Sequence, residues 1–215
     1  MRTDTGQVFH LEDYKPTDFL IPETRLDFSL HPERTIVKST LKIERRQGVA
    51  ADAPLVLDGD ELTLTGILVD GVAPGDNSYV VTPDRLEIRG LPETGAFTLE
   101  ITTEINPTAN RQLTGLYRSS KVYCTQCEAE GFRRITYYPD RSDLLSVYTV
   151  RIEAEASEAP LLLSNGNPAE KGVLGGCRHF ALWHAPHPKP AYLFALVARD
   201  LGGITHSFTT GSAPP

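Results

Sequence analysis

Hydrophobic and polar residues alternate along most of the chain in short runs, the pattern of half-buried β-strands. The first clear run places Leu26, Phe28 and Leu30 on one face, with polar residues between them. A proline-containing turn at residues 31–34 separates this run from a second alternating run at residues 35–46. Because proline presets the backbone angle of such a turn, the two runs predict a β-hairpin.

Similar runs, separated by Asp-Gly and Pro-Gly turns, predict further strands along the chain. The predicted strands are residues 55–57, 62–69, 79–81, 85–89, 97–105, 148–156, 161–163, 179–184, 193–198 and 204–209. Pro186, Pro188 and Pro190 predict a break after the strand at 179–184, because proline cannot donate a hydrogen bond inside a central strand. No run has the period of an amphipathic helix. The sequence therefore predicts an all-β fold, an antiparallel sheet or sandwich with few or no helices.

The chain has 215 residues, a length that allows one large all-β domain or two small ones. We assign residues 1–23 to an extended N-terminal arm, residues 24–210 to the β domain and residues 211–215 to a linker or tail. A hydrophobic content of 40% with 23% charged residues is typical of a soluble globular protein.

The net charge of −7 argues against a nucleic-acid partner and favours a site that binds a cation. No apolar run is long enough to predict a membrane span, and the N-terminus lacks the apolar core of a signal peptide. The three cysteines do not form the even set of a disulfide framework. A reducing, cytoplasmic location is the expectation.

One stretch near the middle of the chain combines two thiols, an amide, two carboxylates and two arginines. If it were a strand, Gln126, Glu128 and Glu130 would share one face. Arg133 and Arg134 could then pair with Glu130 and leave Glu128 to a cation from outside. An ammonium group suits an amide oxygen next to a carboxylate. The alternative is that these residues form a solvated strand edge.

The cysteines allow three interpretations. Cys124, Cys127, Cys177 and His179 have the composition of a tetrahedral zinc site. Cys124 and Cys127 could instead form a redox pair, although such a pair favours a helix N-terminus and the flanking sequence is strand-like. The third interpretation is that the cysteines are small buried thiols.

The sequence has no complete catalytic set. It contains no His-Glu-x-x-His, no Gly-x-Ser-x-Gly and no glycine-rich phosphate loop. We therefore predict no catalytic residue and no metal ligand in this chain.

A series of short motifs in one order gives the chain a family resemblance. The motifs are Gly115-Leu-Tyr-Arg-Ser119, Thr125-Gln-Cys-Glu-Ala129, Tyr137-Tyr-Pro-Asp-Arg141, Leu162-Leu-Ser-Asn-Gly-Asn167 and Pro188-Lys-Pro-Ala-Tyr-Leu-Phe-Ala-Leu-Val197. Over residues 14–210 the chain resembles the N-terminal domain of the M1 zinc aminopeptidases, of the bacterial aminopeptidase N type. Ser142 departs from the pattern, because relatives commonly have proline there.

The resemblance implies a saddle-shaped antiparallel β domain that precedes a thermolysin-like catalytic domain. The zinc helix and the Gly-Ala-Met-Glu-Asn loop of that catalytic domain do not occur in this sequence. Zinc is therefore expected in the parent enzyme and no cofactor in this chain, which is expected to be inactive alone.

The resemblance also implies roles for two residues. Glu128 corresponds to the glutamate that binds the free α-amino group of the substrate, and Gln126 to the residue that lines the pocket for the first side chain. The implied partners are a peptide N-terminus and a catalytic domain in cis, and an isolated domain should expose an apolar patch. The alternative function is a β-sandwich scaffold or interaction module without a peptidase role.

Overall fold

The computed structural model describes residues 10–75, 77–204 and 206–207. In these residues the chain forms fourteen β-strands and three 3₁₀ helices of one turn each, Leu11–Asp13, Phe132–Arg134 and Ala191–Leu193. The strands are β1 (Phe19–Ser29), β2 (Thr35–Arg45), β3 (Leu55–Asp58), β4 (Thr63–Val69), β5 (Tyr79–Thr82), β6 (Arg85–Ile88), β7 (Ala96–Ile105), β8 (Gly115–Ser119), β9 (Val122–Gln126), β10 (Ser146–Glu155), β11 (Leu161–Ser164), β12 (Asn167–Val173), β13 (Arg178–Lys189) and β14 (Leu196–Arg199). The predicted all-β class is confirmed. Within the described residues, no helix is long and apolar enough to cross a membrane.

The strands form three sheets. The large sheet has seven strands in the order β12-β13-β10-β1-β2-β7-β4, and the two smaller sheets have the orders β11-β14-β9-β8 and β3-β6-β5. Strands β1 and β2 form the predicted hairpin. The prediction of a purely antiparallel sheet is wrong at one place, because β1 pairs with β10 in parallel.

The alternation read from the sequence places one face of β1, β2, β7 and β10, the central strands of the large sheet, in the core. Leu26 and Phe28 on β1 and Val37 and Leu41 on β2 are almost completely buried. The smaller sheets turn their own apolar faces toward the same core, which gives a sandwich-like arrangement. Leu55, Leu57, Leu86 and Ile88 come from the three-stranded sheet, and Leu116, Tyr123, Leu196 and Ala198 from the four-stranded sheet.

The C-terminal part of the large sheet departs from the prediction. Strand β13 continues through Pro186 and Pro188 to Lys189, although we predicted a break at these prolines. The pairing of β13 with β12 ends at His184, before the prolines, and the register of β13 against β10 shifts beside them. The missing proline N–H groups therefore cost no hydrogen bond to β12. Strand β12 was not predicted, because nearly all of its residues are exposed and its hydrophobic pattern is absent.

The ends of the chain also differ. Strand β1 begins at Phe19, so residues 19–23, which we assigned to the arm, belong to the first strand. In the predicted strand at 204–209, residues 204, 206 and 207 are not in a strand and the others lie outside the described residues. Residues 1–9 of the arm and the 211–215 tail also lie outside them.

Candidate functional site

The stretch that carries the predicted site residues is a turn rather than a strand. Strand β9 ends at Gln126, and the Gly131 N–H then donates to the carbonyl of Cys127 at 2.8 Å. Gln126, Glu128 and Glu130 therefore do not share a strand face, contrary to the prediction. All three are exposed, and the Glu128–Ala129 peptide bond is cis.

Close backbone packing fixes this turn from one side. A Cβ atom added at Gly131 would lie 2.4 Å from the Gln126 carbonyl oxygen and 3.0 Å from the Gly115 nitrogen. On the other side, the centroid of the buried Phe132 ring lies 5.0 Å from the centroid of the Tyr138 ring and 5.4 Å from that of the Phe194 ring. The turn is thus held between backbone and the aromatic core.

The turn forms one wall of an open cleft of about 520 Å³. The rest of the cleft is formed by residues of the loops at 59–60 and 112–114, by Asp84 and by the two arginines that follow the turn. The cleft is lined by Gly59, Asp60, Asp84, Gln112, Thr114, Glu128, Ala129, Glu130, Gly131, Arg133 and Arg134. Gln126 is not part of this lining and lies at the end of β9, two residues before Glu128.

Arg133 pairs with three carboxylates. Its backbone N–H and its Nε donate to Oδ2 of Asp140 at 3.0 and 3.3 Å. Its guanidinium also lies 3.6 Å from Asp58 and 3.4 Å from Glu130. The predicted pairing of Arg133 with Glu130 is confirmed, but it is one contact among several.

Arg134 pairs elsewhere. Its side chain is 4% exposed, and its guanidinium contacts Asp60 at 2.5 Å and also Glu61. The predicted pairing of Arg134 with Glu130 is therefore wrong. The reason is that two carboxylates of the loop that follows β3 already pair with the Arg134 guanidinium.

Sequence reasoning missed the loop at residues 58–61. Asp58 and Tyr138 exchange backbone hydrogen bonds at 3.0 and 3.1 Å, and the Asp60 N–H donates to the Arg133 carbonyl at 3.0 Å. Gly59 leaves room for the Tyr137 ring, which a Cβ atom would approach to 2.3 Å. The sequence showed this loop only as an Asp-Gly turn, and the contacts that give it a role come from about 70 positions later in the chain.

Glu128 is the carboxylate of the cleft that stays available. It is exposed, and in the part of the chain that the structure describes no ion pair or hydrogen bond involves its side chain. Both nearby guanidinium groups are occupied by other carboxylates. The cleft thus carries an excess of negative charge centred on an accessible carboxylate, an arrangement that suits a cation.

Asp140 lies beneath this cluster and is almost completely buried. Burial raises its pKa to about 6, and the negative charge of Asp58 acts in the same direction. The hydrogen bonds and the charge of Arg133 oppose this increase but do not cancel it.

The four residues proposed as zinc ligands do not come together. Cys127 is buried, Cys124 is half-buried in β9 and Cys177 is exposed in the turn before β13. Nε2 of His179 lies 2.7 Å from the Ala159 carbonyl oxygen. No group of three or more His, Cys, Asp or Glu side chains in the described residues is placed to hold a metal ion. The interpretation as buried thiols holds for Cys127 and is wrong for Cys177.

A second cleft, of about 560 Å³, lies between β11 and the β12–β13 hairpin. Its lining is mainly apolar and includes Leu161, Leu163 and Trp183. Nε1 of Trp183 donates to the Leu162 carbonyl at 3.0 Å, so the indole is fixed in place. Its lining shares no residue with the cleft that contains Glu128.

Comparison with known proteins supports the resemblance seen in the motifs. Residues 21–193 match the family described as the Peptidase M1 N-terminal domain. Aminopeptidase N of Caulobacter vibrioides is 52% identical over 212 residues, which cover 99% of this chain and 24% of that protein. The chain thus spans about a quarter of the length of this relative.

Two solved structures have the same fold. Aminopeptidase A of Legionella pneumophila, in complex with aspartic acid, has a TM-score of 0.83 and 36% identity over 89% of this chain and 22% of its own chain. The M1 zinc metallopeptidase of Deinococcus radiodurans has a TM-score of 0.72 over 85% of this chain and 42% of its own, and its 18% identity shows the fold alone. The chain belongs to the family of M1 peptidase N-terminal domains.

Proposed function

We propose that this chain is the non-catalytic N-terminal domain of a longer M1 zinc aminopeptidase, in which Glu128 binds the free α-ammonium group of the peptide substrate. The observation that carries the proposal is the accessible Glu128 carboxylate, which has no partner among the described residues while both neighbouring arginines are paired. Relatives that match almost the whole chain are aminopeptidases, which supports the assignment.

The chemistry of selection follows from the ion pair. A peptide ammonium group has three N–H donors, and a carboxylate accepts them with charge assistance. A blocked N-terminus or an internal peptide nitrogen has no positive charge and would leave Glu128 unpaired, so the site favours peptides with a free N-terminus. A carboxylate at a fixed distance from the reacting centre thereby restricts cleavage to the first peptide bond.

Gln126 has a secondary role in the proposal. It closes β9 opposite Gly115 and lies two residues before Glu128, exposed at the same end of the sheet. In the proposal its amide contacts the first side chain of a peptide whose ammonium group is on Glu128. The rest of that pocket comes from the catalytic domain in cis.

No group of three or more His, Cys, Asp or Glu side chains in the described residues is placed to hold a metal ion. The proposal assigns the zinc to the catalytic domain of the parent enzyme, where it would activate the attacking water. The 215-residue chain, loaded with zinc, should release no product from an alanyl reporter substrate. Turnover by the purified chain alone would overturn the non-catalytic role.

The test of the anchor is a substitution in the full-length enzyme encoded with this chain. Glu128→Gln keeps the size of the side chain and removes its charge, so kcat/KM for a free-amine dipeptide should fall about 100-fold, equivalent to about 3 kcal/mol. Glu93→Gln, an exposed carboxylate outside the cleft, is the matched control and should leave kcat/KM unchanged. Equal values for both variants would favour the scaffold alternative.

A further inference from the structure

Arg134 is a potential competitor for the anchor. Arg134 is among the residues that line the same cleft as Glu128, and its side chain is 4% exposed. A guanidinium in a partly dehydrated site pairs strongly with a neighbouring carboxylate. If Arg134 turned to Glu128, an incoming ammonium group would have to displace it.

Two carboxylates hold Arg134 away from this position. Asp60 accepts from its Nη1 at 2.5 Å, and Glu61 accepts from its Nη2. Both terminal nitrogens of the guanidinium therefore already donate to a charged acceptor. These two ion pairs offset the charge of the arginine, so less of it is available to Glu128.

The two carboxylates are themselves fixed. The Asp60 N–H is bound to the Arg133 carbonyl, and Glu61 accepts from Nε2 of Gln112 at 3.1 Å. Glu61 also has a left-handed backbone, with φ of 53°, which a non-glycine residue adopts when the surrounding contacts require it. Their positions are thus set by the scaffold as well as by Arg134.

We propose that Asp60 and Glu61 are positioning residues for Glu128, which keep the Arg134 guanidinium paired with themselves and so leave the Glu128 carboxylate open to a cation. This inference rests on the proposed function of Glu128. It differs from a purely stabilising role in one respect: the effect of removing the two carboxylates acts through the charge of Arg134, and removing that charge should reverse it.

The first arm of the test needs no activity. A crystal structure of the Asp60→Ala/Glu61→Ala variant of this chain should show the Arg134 guanidinium within ion-pair distance of the Glu128 carboxylate. If the alanine variant does not fold, Asp60→Leu/Glu61→Met replaces it, because these side chains keep most of the volume beside Arg134 and offer it neither charge nor hydrogen-bond acceptor. Arg134 remaining in its present place, or turning to solvent, would overturn the inference.

The second arm uses the full-length enzyme. The double variant should raise KM for a free-amine dipeptide about fivefold at nearly unchanged kcat, because one partly exposed ion pair must be broken before the substrate binds. Adding Arg134→Met should return KM to within about twofold of the original value. A loss that Arg134→Met does not reverse would show that Asp60 and Glu61 only stabilise the fold.

The control matches the change in charge. Glu93→Ala/Glu170→Ala removes two exposed carboxylates outside the cleft and should leave KM unchanged. A fivefold effect in this control would assign the change to net charge and overturn the inference. If Glu128→Gln has no effect on KM, the proposed function fails while the crystallographic arm still decides where Arg134 goes.

Discussion

Arg133 and Asp140 are joined twice through a single oxygen, since the backbone N–H and the Nε of Arg133 both donate to Oδ2 of Asp140. These contacts join the two ends of the segment 133–140, which follows the turn that carries Glu128. The Asp140 side chain is 1% exposed, so the loop is closed beneath the surface, where water cannot compete.

The buried Asp140 predicts a pH-dependent stability. Its pKa is about 6 in the folded chain against 3.8 ordinarily, so the folded state holds a proton that the unfolded state has lost between these values. The stability contributed by this group is fully present below pH 3.8 and is lost as the pH rises through 6. Relative to Asp140→Asn, the original chain should lose about 1 kcal/mol of unfolding free energy between pH 5 and pH 7.

Urea unfolding of both proteins at several pH values measures this difference. Asp143→Asn is the control, because the hydrogen bond from Arg141 lowers the pKa of Asp143 to about 2 and its effect lies at more acidic pH. A difference between Asp140→Asn and the original chain that stays constant from pH 5 to pH 7 would contradict the prediction.

Lys189 predicts the opposite pH trend. Its ammonium lies 3.7 Å from the centre of the Tyr148 ring, and its buried Nζ has no hydrogen-bond partner among the described residues. Burial lowers its pKa from 10.5 to about 8, so the stability contributed by this group is present above pH 10.5 and is lost as the pH falls through 8. Lys189→Met should therefore stabilise the chain at pH 7 by about 1 kcal/mol, after the loss of the cation–π contact.

Denaturation at pH 7 and at pH 10 tests this prediction, and the gain should largely disappear at the higher pH. Lys171→Met, at an exposed position on β12, should change stability little at either pH. An equal gain for Lys189→Met at both pH values would mean that packing alone, without the charge, explains the change.

Gly131 predicts a steric requirement in the turn that carries Glu128. Its backbone lies in the right-handed helical region, with φ of −85°, so alanine is conformationally allowed there. The added methyl group would nevertheless lie 2.4 Å from the Gln126 carbonyl oxygen, a backbone atom that cannot rotate away. Gly131→Ala should lower the unfolding free energy by about 2 kcal/mol.

Gly175→Ala is the matched control, since an added Cβ there has no atom within 4 Å. Chemical denaturation measures the free energy of unfolding of both variants. Because the same methyl group is added in each, the difference between them is the steric effect at Gly131. Equal stabilities would show that the turn relaxes around a methyl group, and that its close packing does not determine the position of Glu128.

The three cysteines should differ in reactivity. Cys177 is exposed, Cys124 is half-buried and Cys127 is buried, with burial and the nearby charge of Asp140 raising the pKa of its thiol. Because the thiolate is the reactive form, a thiol reagent should modify Cys177 first and Cys127 only after unfolding. Mass spectrometry of the partially labelled chain gives the order in which the cysteines are modified. The fastest labelling should be absent in the Cys177→Ser variant. Early labelling of Cys127 would contradict its burial.

The fold was predictable where one strand face is buried and the other is not. The alternation at Leu26, Phe28 and Leu30 located β1, because the pleat converts burial into a period of two. Strand β12 gave no such signal, since an edge strand exposed on both faces has no apolar positions to repeat. Parallel pairing leaves no local mark, which is why the neighbour of β1 on the β10 side could not be predicted.

The sequence indicated one part of the candidate site. Motif and chemistry predicted Glu128 and Gln126, and of these two only Glu128 lines the cleft. Their supposed common face was wrong, because the strand ends at Gln126 and periodicity cannot show where a strand stops without a glycine or proline signal. Asp60 and Glu61 were missed because their partner, Arg134, is more than 70 residues away in sequence.

The parallel contact between β1 and β10 joins residues near 23–29 to residues near 147–153, at the centre of the largest sheet. A ribosome must therefore synthesise about two thirds of the chain before this sheet can close. Until then the hairpin of β1 and β2 has an open edge, which is the condition in which strands pair with the wrong partner. Proteins with such distant pairings fold slowly, so we expect early truncations of this chain to aggregate rather than to fold as smaller domains.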